Sequence, residues 1–377
     1  MGHRYRESYH FEAGLEQAVV DLVRVGASGF GSGVRQLATR LVRTVPPEVK
    51  DPQAFRSALH QALSESSRPP GLRFASGQIP ADEGAHPLVT VDPTPDGDGL
   101  VLTQAAMTEL SEVVEERRRA DELAHAGVGL TRTILLSGPP GVGKTMAARW
   151  LAGRMELPLV TMDLAGVVSS LLGNSGRNIK SVLDYAKSGT CVLLLDEFDA
   201  IAKRRDDETD IGELKRVVNV ILVELDRWPD TSLLVAATNH SQLLDPAVGR
   251  RFDRVVEVPL PGRQERESIM AHLASGLELK DPRIIRVVAE CTGSFTGSDL
   301  TRLWNSARRR SILNGTTMEE EILAELSRST QPDRSARDKL WLMLADYLGM
   351  SNRQIAACAG VSHPTVSAAL KRAKGAL

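Results

Sequence analysis

The chain has 377 residues, 42% hydrophobic and 25% charged, with a net charge of −2, a balance that predicts two to three domains with a real core. That charge excludes a wholesale nucleic-acid or membrane-surface protein and leaves room for a local basic patch. Cys191, Cys291 and Cys358 lie far apart with no Cys-x-x-Cys pair, and the eight histidines form no cluster, which excludes a disulfide framework and a zinc site. No apolar run approaches the ~18 residues of a membrane span, and the first residues carry no signal-type apolar region. A cytoplasmic protein without a membrane partner is the expectation.

In chain order, residues 1–66 are expected to form a small helical domain. Leu15, Val19, Leu22 and Val23 make one apolar stripe, Val34, Leu37, Leu41 and Val42 a second, and Phe55, Leu59 and Leu63 a third. Pro69, Pro70, Pro80, Pro87, Pro93 and Pro95 mark 67–99 as a linker. A helix follows from about Thr103 to His125, with the charged run Glu112–Arg119 expected on a solvated face. Beyond it, apolar runs at Leu157–Met162, Cys191–Leu195, Ser232–Ala237 and Val255–Val258 read as strands. Helical stretches at Asn178–Ala186 and Leu214–Leu225 alternate with them, the pattern of a parallel sheet with crossover helices.

The most specific stretch is Gly138-Pro139-Pro140-Gly141-Val142-Gly143-Lys144-Thr145, which fits G-x-x-x-x-G-K-[ST] between an apolar strand and a helix. Glycines there let backbone N–H groups turn toward phosphates, and the helix start adds its positive dipole end. Lys144 is placed to reach the β- and γ-phosphates and Thr145 to ligate Mg²⁺. Asp196-Glu197 closes the strand Val192–Leu195: Asp196 is expected to hold the same ion, and Glu197 to orient and polarise a water. Asn239, at the end of another apolar strand, is a candidate to bind that water or the terminal phosphate. Arg250-Arg251, in the segment Leu244–Asp253, invite an arginine-finger reading, with the finger supplied by a neighbouring subunit.

With these motifs, the block from about Leu100 to Asn314 resembles the AAA ATPases, in the group with a second region of homology. Gly138–Thr145, Leu193–Asp199, Arg216–Asp226, Ala237-Thr238-Asn239 and Leu244–Asp253 carry the resemblance. The form Ala247–Asp253 is similar to that of microtubule-severing and membrane-remodelling members, and Thr292–Leu300 is similar to the start of the family's lid helix. The resemblance implies ATP hydrolysis with Mg²⁺ at subunit interfaces of a homo-oligomeric ring, commonly a hexamer, under a helical lid. Where remodelling members carry an aromatic in the pore loop, this chain has Leu171-Leu172-Gly173, so a grip on a threaded polypeptide is weakened.

At the C-terminus, Ile355, Ala356, Val361, Val366 and Leu370 read as the core of a helix-turn-helix, with Gly360 at the turn and Ser362 capping the second helix. It is similar to sigma-factor region four and response-regulator output units. Residues 333–377 hold seven basic and three acidic side chains, and His363, Thr365, Ser367, Ala368 and Lys371 are the candidates to face duplex DNA. Protein docking is the alternative for this unit. The expected fold class is α/β: a parallel-sheet P-loop core (100–261) with a helical lid (262–328), plus small all-α N-terminal (1–66) and C-terminal (338–377) domains. The expected function is an ATP-driven machine remodelling a protein partner; a DNA-tethered, ATP-dependent regulator is the alternative.

Overall fold

The computed structural model of the protein describes residues 79–82, 84–164, 175–200, 211–240, 242, 244, 246–277, 279–330 and 334–375. The expected N-terminal helical domain and Leu171-Leu172-Gly173 lie outside the described residues.

Six strands form one sheet: β1 (Thr90–Asp92), β2 (Thr133–Ser137), β3 (Leu159–Asp163), β4 (Val192–Asp196), β5 (Leu233–Thr238) and β6 (Arg254–Glu257). Their order is β1-β3-β4-β5-β2-β6, parallel except for β1, which pairs antiparallel with β3. Near-continuous apolar runs such as Leu193-Leu194-Leu195 suit such a sheet because both faces are covered. Alternate residues serve opposite layers. Leu135, Leu193, Leu195, Leu234 and Ala236 share one core with α4 (Ser175–Lys187) and α5 (Ile211–Asp226). Ile134, Leu136, Leu194, Val235 and Ala237 share the other with α1 (Gln104–Arg118) and α3 (Lys144–Arg154).

Three expectations need correcting. The stretch read as a linker contributes the edge strand β1, with Leu88 and Val89 buried beside it. The helix read as running from Thr103 to His125 breaks at Arg119 (φ −104°, ψ 26°) into α1 and α2 (Ala120–His125). Its charged run is also not simply solvated. The Arg117 guanidinium donates to the carbonyls of Thr131 (2.6 Å) and Ser232 (3.3 Å), and the Glu116 carboxylate accepts from Thr131 N (2.8 Å). Arg254 donates to Glu112 (2.7 Å) and Glu116 (2.8 Å). These contacts clamp α1 to the amino edge of the sheet. They come from residues far apart in sequence, which helical periodicity does not register.

After β6 the chain is helical: α7 (Arg263–Leu273), α8 (Arg283–Cys291), α9 (Gly297–Asn314), α10 (Met318–Thr330), α11 (Arg334–Asp346), α12 (Asn352–Ala359) and α13 (His363–Gly375), the short α6 (Pro246–Gly249) having preceded β6. Helix α9 opens with a capping box: Thr296 Oγ1 accepts from Asp299 N (3.2 Å) while the Asp299 carboxylate accepts from Thr296 N (3.0 Å). Ser351 and Gln354 repeat the device at α12, which ends on Gly360 in the left-handed region (φ 63°). The expected lid and C-terminal domain are joined by one core. Ile284, Trp304 and Leu326 lie in the same cluster as Trp341, Leu344, Ile355 and Val366. Helix α11 begins at Arg334, only a few residues beyond α10, and packs into the same core as α8, α9 and α10.

Candidate functional site

The loop Gly138–Thr145 leaves the carboxyl end of β2, which lies between β5 and the edge strand β6. Gly138 is held there from both sides. Its N–H donates to Thr238 O (3.3 Å), and a Cβ on it would fall 2.0 Å from Val258 O. Gly141 (φ 78°) and Gly143 (φ 109°) adopt left-handed backbone that side chains resist, which curls the loop into the start of α3. Pro139, Pro140 and Val142 complete the loop, Val142 buried and the two prolines without N–H groups to compete.

Lys144 is buried, and its ammonium donates to Gly138 O (2.8 Å), Pro139 O (2.8 Å) and the Asn239 side-chain oxygen (2.7 Å). Burial holds this amine below the ordinary lysine range, against the raising pull of Asp196 and Asp199. One position on, Thr145 Oγ1 donates to Asp196 Oδ2 at 2.9 Å. A hydroxyl and a carboxylate side by side are the hard oxygen ligands that Mg²⁺ takes. Among the described residues no group of three His, Cys, Asp or Glu side chains could hold a metal. A Mg²⁺ ion held by Thr145 and Asp196 would take its other ligands from water and phosphate, as Mg²⁺ commonly does.

Glu197 is exposed and adopts φ 54°, an uncommon conformation for a residue with a side chain. The turn is held on both sides: Glu197 N donates to Asp196 Oδ1 (2.9 Å), Ala200 N to Glu197 O (2.9 Å) and Phe198 N to Ala237 O (2.8 Å). Buried Asp199 then accepts from Asn239 N (3.3 Å) and Thr238 Oγ1 (3.5 Å). Asp196, Glu197 and Asn239 are thus tied together through backbone contacts between the ends of β4 and β5. The motif Asp-Glu-Phe-Asp contained Asp199, but spacing alone gave it no partner.

Arg250 and Arg251 do not join this cluster within their own chain. Asp253 Oδ2, two positions after Arg251, accepts from Arg132 N (2.8 Å) and Thr133 N (3.0 Å), at the amino end of β2. The loop leaves the opposite end, about 16 Å on at ~3.3 Å per residue. Arg250 is exposed, and Arg251 is ion-paired with Asp226 at the end of α5. Together with Arg132 and Asp253 they line an open cavity of about 420 Å³. Sequence reading did not find the Asp226 partner.

The helices after β6 reach the loop directly. Ser298 N, in the first turn of α9, donates to Gly141 O at 3.0 Å, and a Cβ on Gly141 would lie 2.9 Å from Thr296 Oγ1. Far along the chain, His363, Thr365, Ala368 and Lys371 are exposed on α13, with Ser367 half-buried. Much of the surrounding positive charge is already engaged. Arg372 pairs with Asp338 (3.0 Å), Arg337 with Asp338 (3.7 Å), Lys374 with Asp346 (3.1 Å) and Lys339 with Glu290 (4.0 Å). Three of the seven basic residues counted for phosphate contact, Arg372, Lys374 and Lys339, thus have a carboxylate partner within the chain, while Arg337 lies 3.7 Å from an Asp338 already bonded to Arg372.

Comparison with known proteins finds similarity over the stretch that holds the loop. Residues 134–260 match the family described as "ATPase family associated with various cellular activities (AAA)". A protein of Sinorhizobium fredii described as uncharacterized AAA family ATPase y4kL is 40% identical over 179 residues, 47% of this chain and 54% of that one. The ATP-dependent zinc metalloprotease FtsH 1 of Symbiobacterium thermophilum is 37% identical over 214 residues, 55% of this chain and 36% of that one. FtsH of Thermus thermophilus is 34% identical over 211 residues, 54% of this chain and 34% of that one. The chain spans about a third to a half of the length of these relatives. Over residues 134–260 the chain is similar to the AAA ATPase domain. No helix among the described residues is long and apolar enough to cross a membrane.

Proposed function

We propose that this chain hydrolyses ATP at the interfaces of a homo-oligomeric ring, a hexamer in its simplest form, and uses the cycle to remodel a protein partner. The observation that carries the reading is the convergence of Lys144, Asn239, Thr145 and Asp196 on one loop, through contacts of 2.7 and 2.9 Å. Lys144 holds the terminal phosphates, and Thr145 and Asp196 hold Mg²⁺, which neutralises phosphate charge when bound. Glu197 accepts the proton side of the attacking water, and Asn239 fixes that water's direction. Positioning and charge are nearly all that phosphoryl transfer asks of a protein, and these residues supply both.

Arg250 and Arg251 act on the neighbouring copy's site. Their place at the amino end of β2, a strand's length from their own loop, supports this reading. The printed names of the FtsH relatives include proteolysis. We do not extend it to this chain, whose sequence contains no His-Glu-x-x-His.

The test is ATPase activity with native mass measured in ATP, alone, with an unfolded polypeptide and with duplex DNA. Turnover by an assembly larger than a dimer, raised by the polypeptide, is the expected result. Full turnover by a monomer would remove the ring. Stimulation by duplex DNA alone would move the reading to the DNA-tethered regulator.

A further inference from the structure

A second cleft lies far from the phosphate loop in sequence and belongs to a different core. It is about 310 Å³ and is lined by Ser327 on α10, Arg337 and Trp341 on α11, Ala359 at the end of α12, and Val361 in the turn before α13. That volume stands at the low end of small-molecule sites and exceeds the room one water needs.

Two of its lining side chains carry buried donors with no acceptor: Nε of Arg337 and the indole Nε1 of Trp341. Trp341 is almost wholly buried, 1% exposed, and the Arg337 guanidinium stacks over its ring at 5.2 Å. Buried N–H groups are normally paired, and each one left open is a place to look for a missing partner. Both groups are donors only, so the partner must be an acceptor. The adjacent carboxylate does not fill this role well. Asp338 lies 3.7 Å from Arg337 Nε, beyond hydrogen-bond reach. Its two oxygens instead accept from Arg372 Nε and Nη2 at 3.0 to 3.3 Å. Charge on Arg337 selects an anion, while Ala359, Val361 and the Trp341 ring offer an apolar wall that a fully polar anion such as phosphate would not use.

We propose that this cleft binds a small organic carboxylate, its oxygens on Arg337 and Trp341 and its short hydrocarbon body against Ala359 and Val361. A bound acid there bridges the lid helix α10 to the C-terminal helices, which share its core. The proposal is independent of how the ATP site works.

The experiment uses the full chain and follows the thermal-unfolding midpoint against butyrate, butyramide and inorganic phosphate at matched ionic strength. Butyrate is expected to raise the midpoint saturably, as a ligand of the folded state does, and the other two to leave it unmoved. Trp341→Phe, which keeps a ring and removes the donor, and Arg337→Gln should each weaken butyrate binding at least about tenfold without changing ATP affinity. Where either variant fails to fold, Ala359→Leu, which fills the cleft and leaves both donors, should abolish the butyrate response. The absence of a saturable shift up to about 50 mM butyrate overturns the proposal. So does an equal response to phosphate or butyramide, or a butyrate response that survives Ala359→Leu.

Discussion

Lys144 Nζ and the side-chain oxygen of Asn239 meet at 2.7 Å across 95 positions of sequence. One residue opens the helix after β2 and the other follows β5, and these strands are neighbours in the sheet. Asn239 is itself held from behind, its N–H donating to buried Asp199. The contact therefore reports that the phosphate loop and the residue proposed to direct water are set by the same pair of strands.

The two should separate kinetically. Lys144→Ala should remove measurable ATP binding in equilibrium titration. Asn239→Ala should leave the dissociation constant within a few fold and lower kcat about a hundredfold, the usual scale for one positioned polar group. A loss of binding equal to that of Lys144→Ala would give Asn239 a holding role instead.

At Gly138 the backbone itself is the constraint. A Cβ would overlap Val258 O at 2.0 Å, and that carbonyl belongs to the chain just past β6. Gly138→Ala should destabilise the folded chain by about 1–3 kcal/mol, read in urea unfolding, and should weaken ATP binding with it. Wild-type stability would mean that Val258 moves aside freely.

The strand runs, the phosphate loop and the acidic pair were legible because each is a local pattern: four apolar residues and two carboxylates, or eight residues in fixed order. Contacts that close over long separations were not. The Asp199 support of Asn239, the Arg251–Asp226 pair and the Ser298–Gly141 contact each join elements whose spacing carries no period. The charged face of α1 misled for the same reason, since Glu116 and Arg117 read as solvent-facing until β2 and β6 stand beside them. The tail's basic balance likewise counted Asp338 and Asp346 without showing which cations they hold, and it left out Glu290 on α8, which lies beside Lys339.

Thr296 links the start of α9 to the loop. Its hydroxyl accepts from Asp299 N and lies where a Gly141 side chain would go. Thr296→Ala should cost about 1 kcal/mol through the lost cap and lower ATP affinity, because the Ser298–Gly141 contact loses its fixed start. Thr296→Ser keeps the hydroxyl and should restore both. Calorimetric titration of the two variants separates this from a purely structural effect: a melting loss with unchanged affinity would confine Thr296 to the cap.

The thiols set an alkaline limit. Burial pushes Cys191 up to about 12 and Cys291 up to about 11, from an ordinary value of 9.0. A thiol raised on folding stays protonated in both states below pH 9 and contributes nothing to the slope there. Above that value the unfolded chain releases protons first, so stability should fall from about pH 9 toward 12. Unfolding midpoints in urea at pH 8, 9 and 10 give the sign. Native protein at pH 8 should also react slowly with a thiol reagent at Cys191 and rapidly once unfolded.

The arginines give the sharpest test of assembly. If Arg250 and Arg251 serve the next copy's site, a ring of Arg251→Ala chains lacks the residue at every interface, and a ring of Glu197→Gln chains lacks the base at every site. Each alone should bind ATP and turn over at least about a hundredfold more slowly than wild type. Co-assembled in equal amounts, they create some interfaces with an intact Glu197 on one side and an intact Arg251 on the other. Activity should then recover toward about a quarter of wild type, the share of interfaces at which random mixing supplies both groups. Arg251 is held by Asp226 in the single chain, so Asp226→Asn, which weakens that hold, should leave recovery intact or raise it. Mixtures no faster than the better parent would place both residues' effects within one chain.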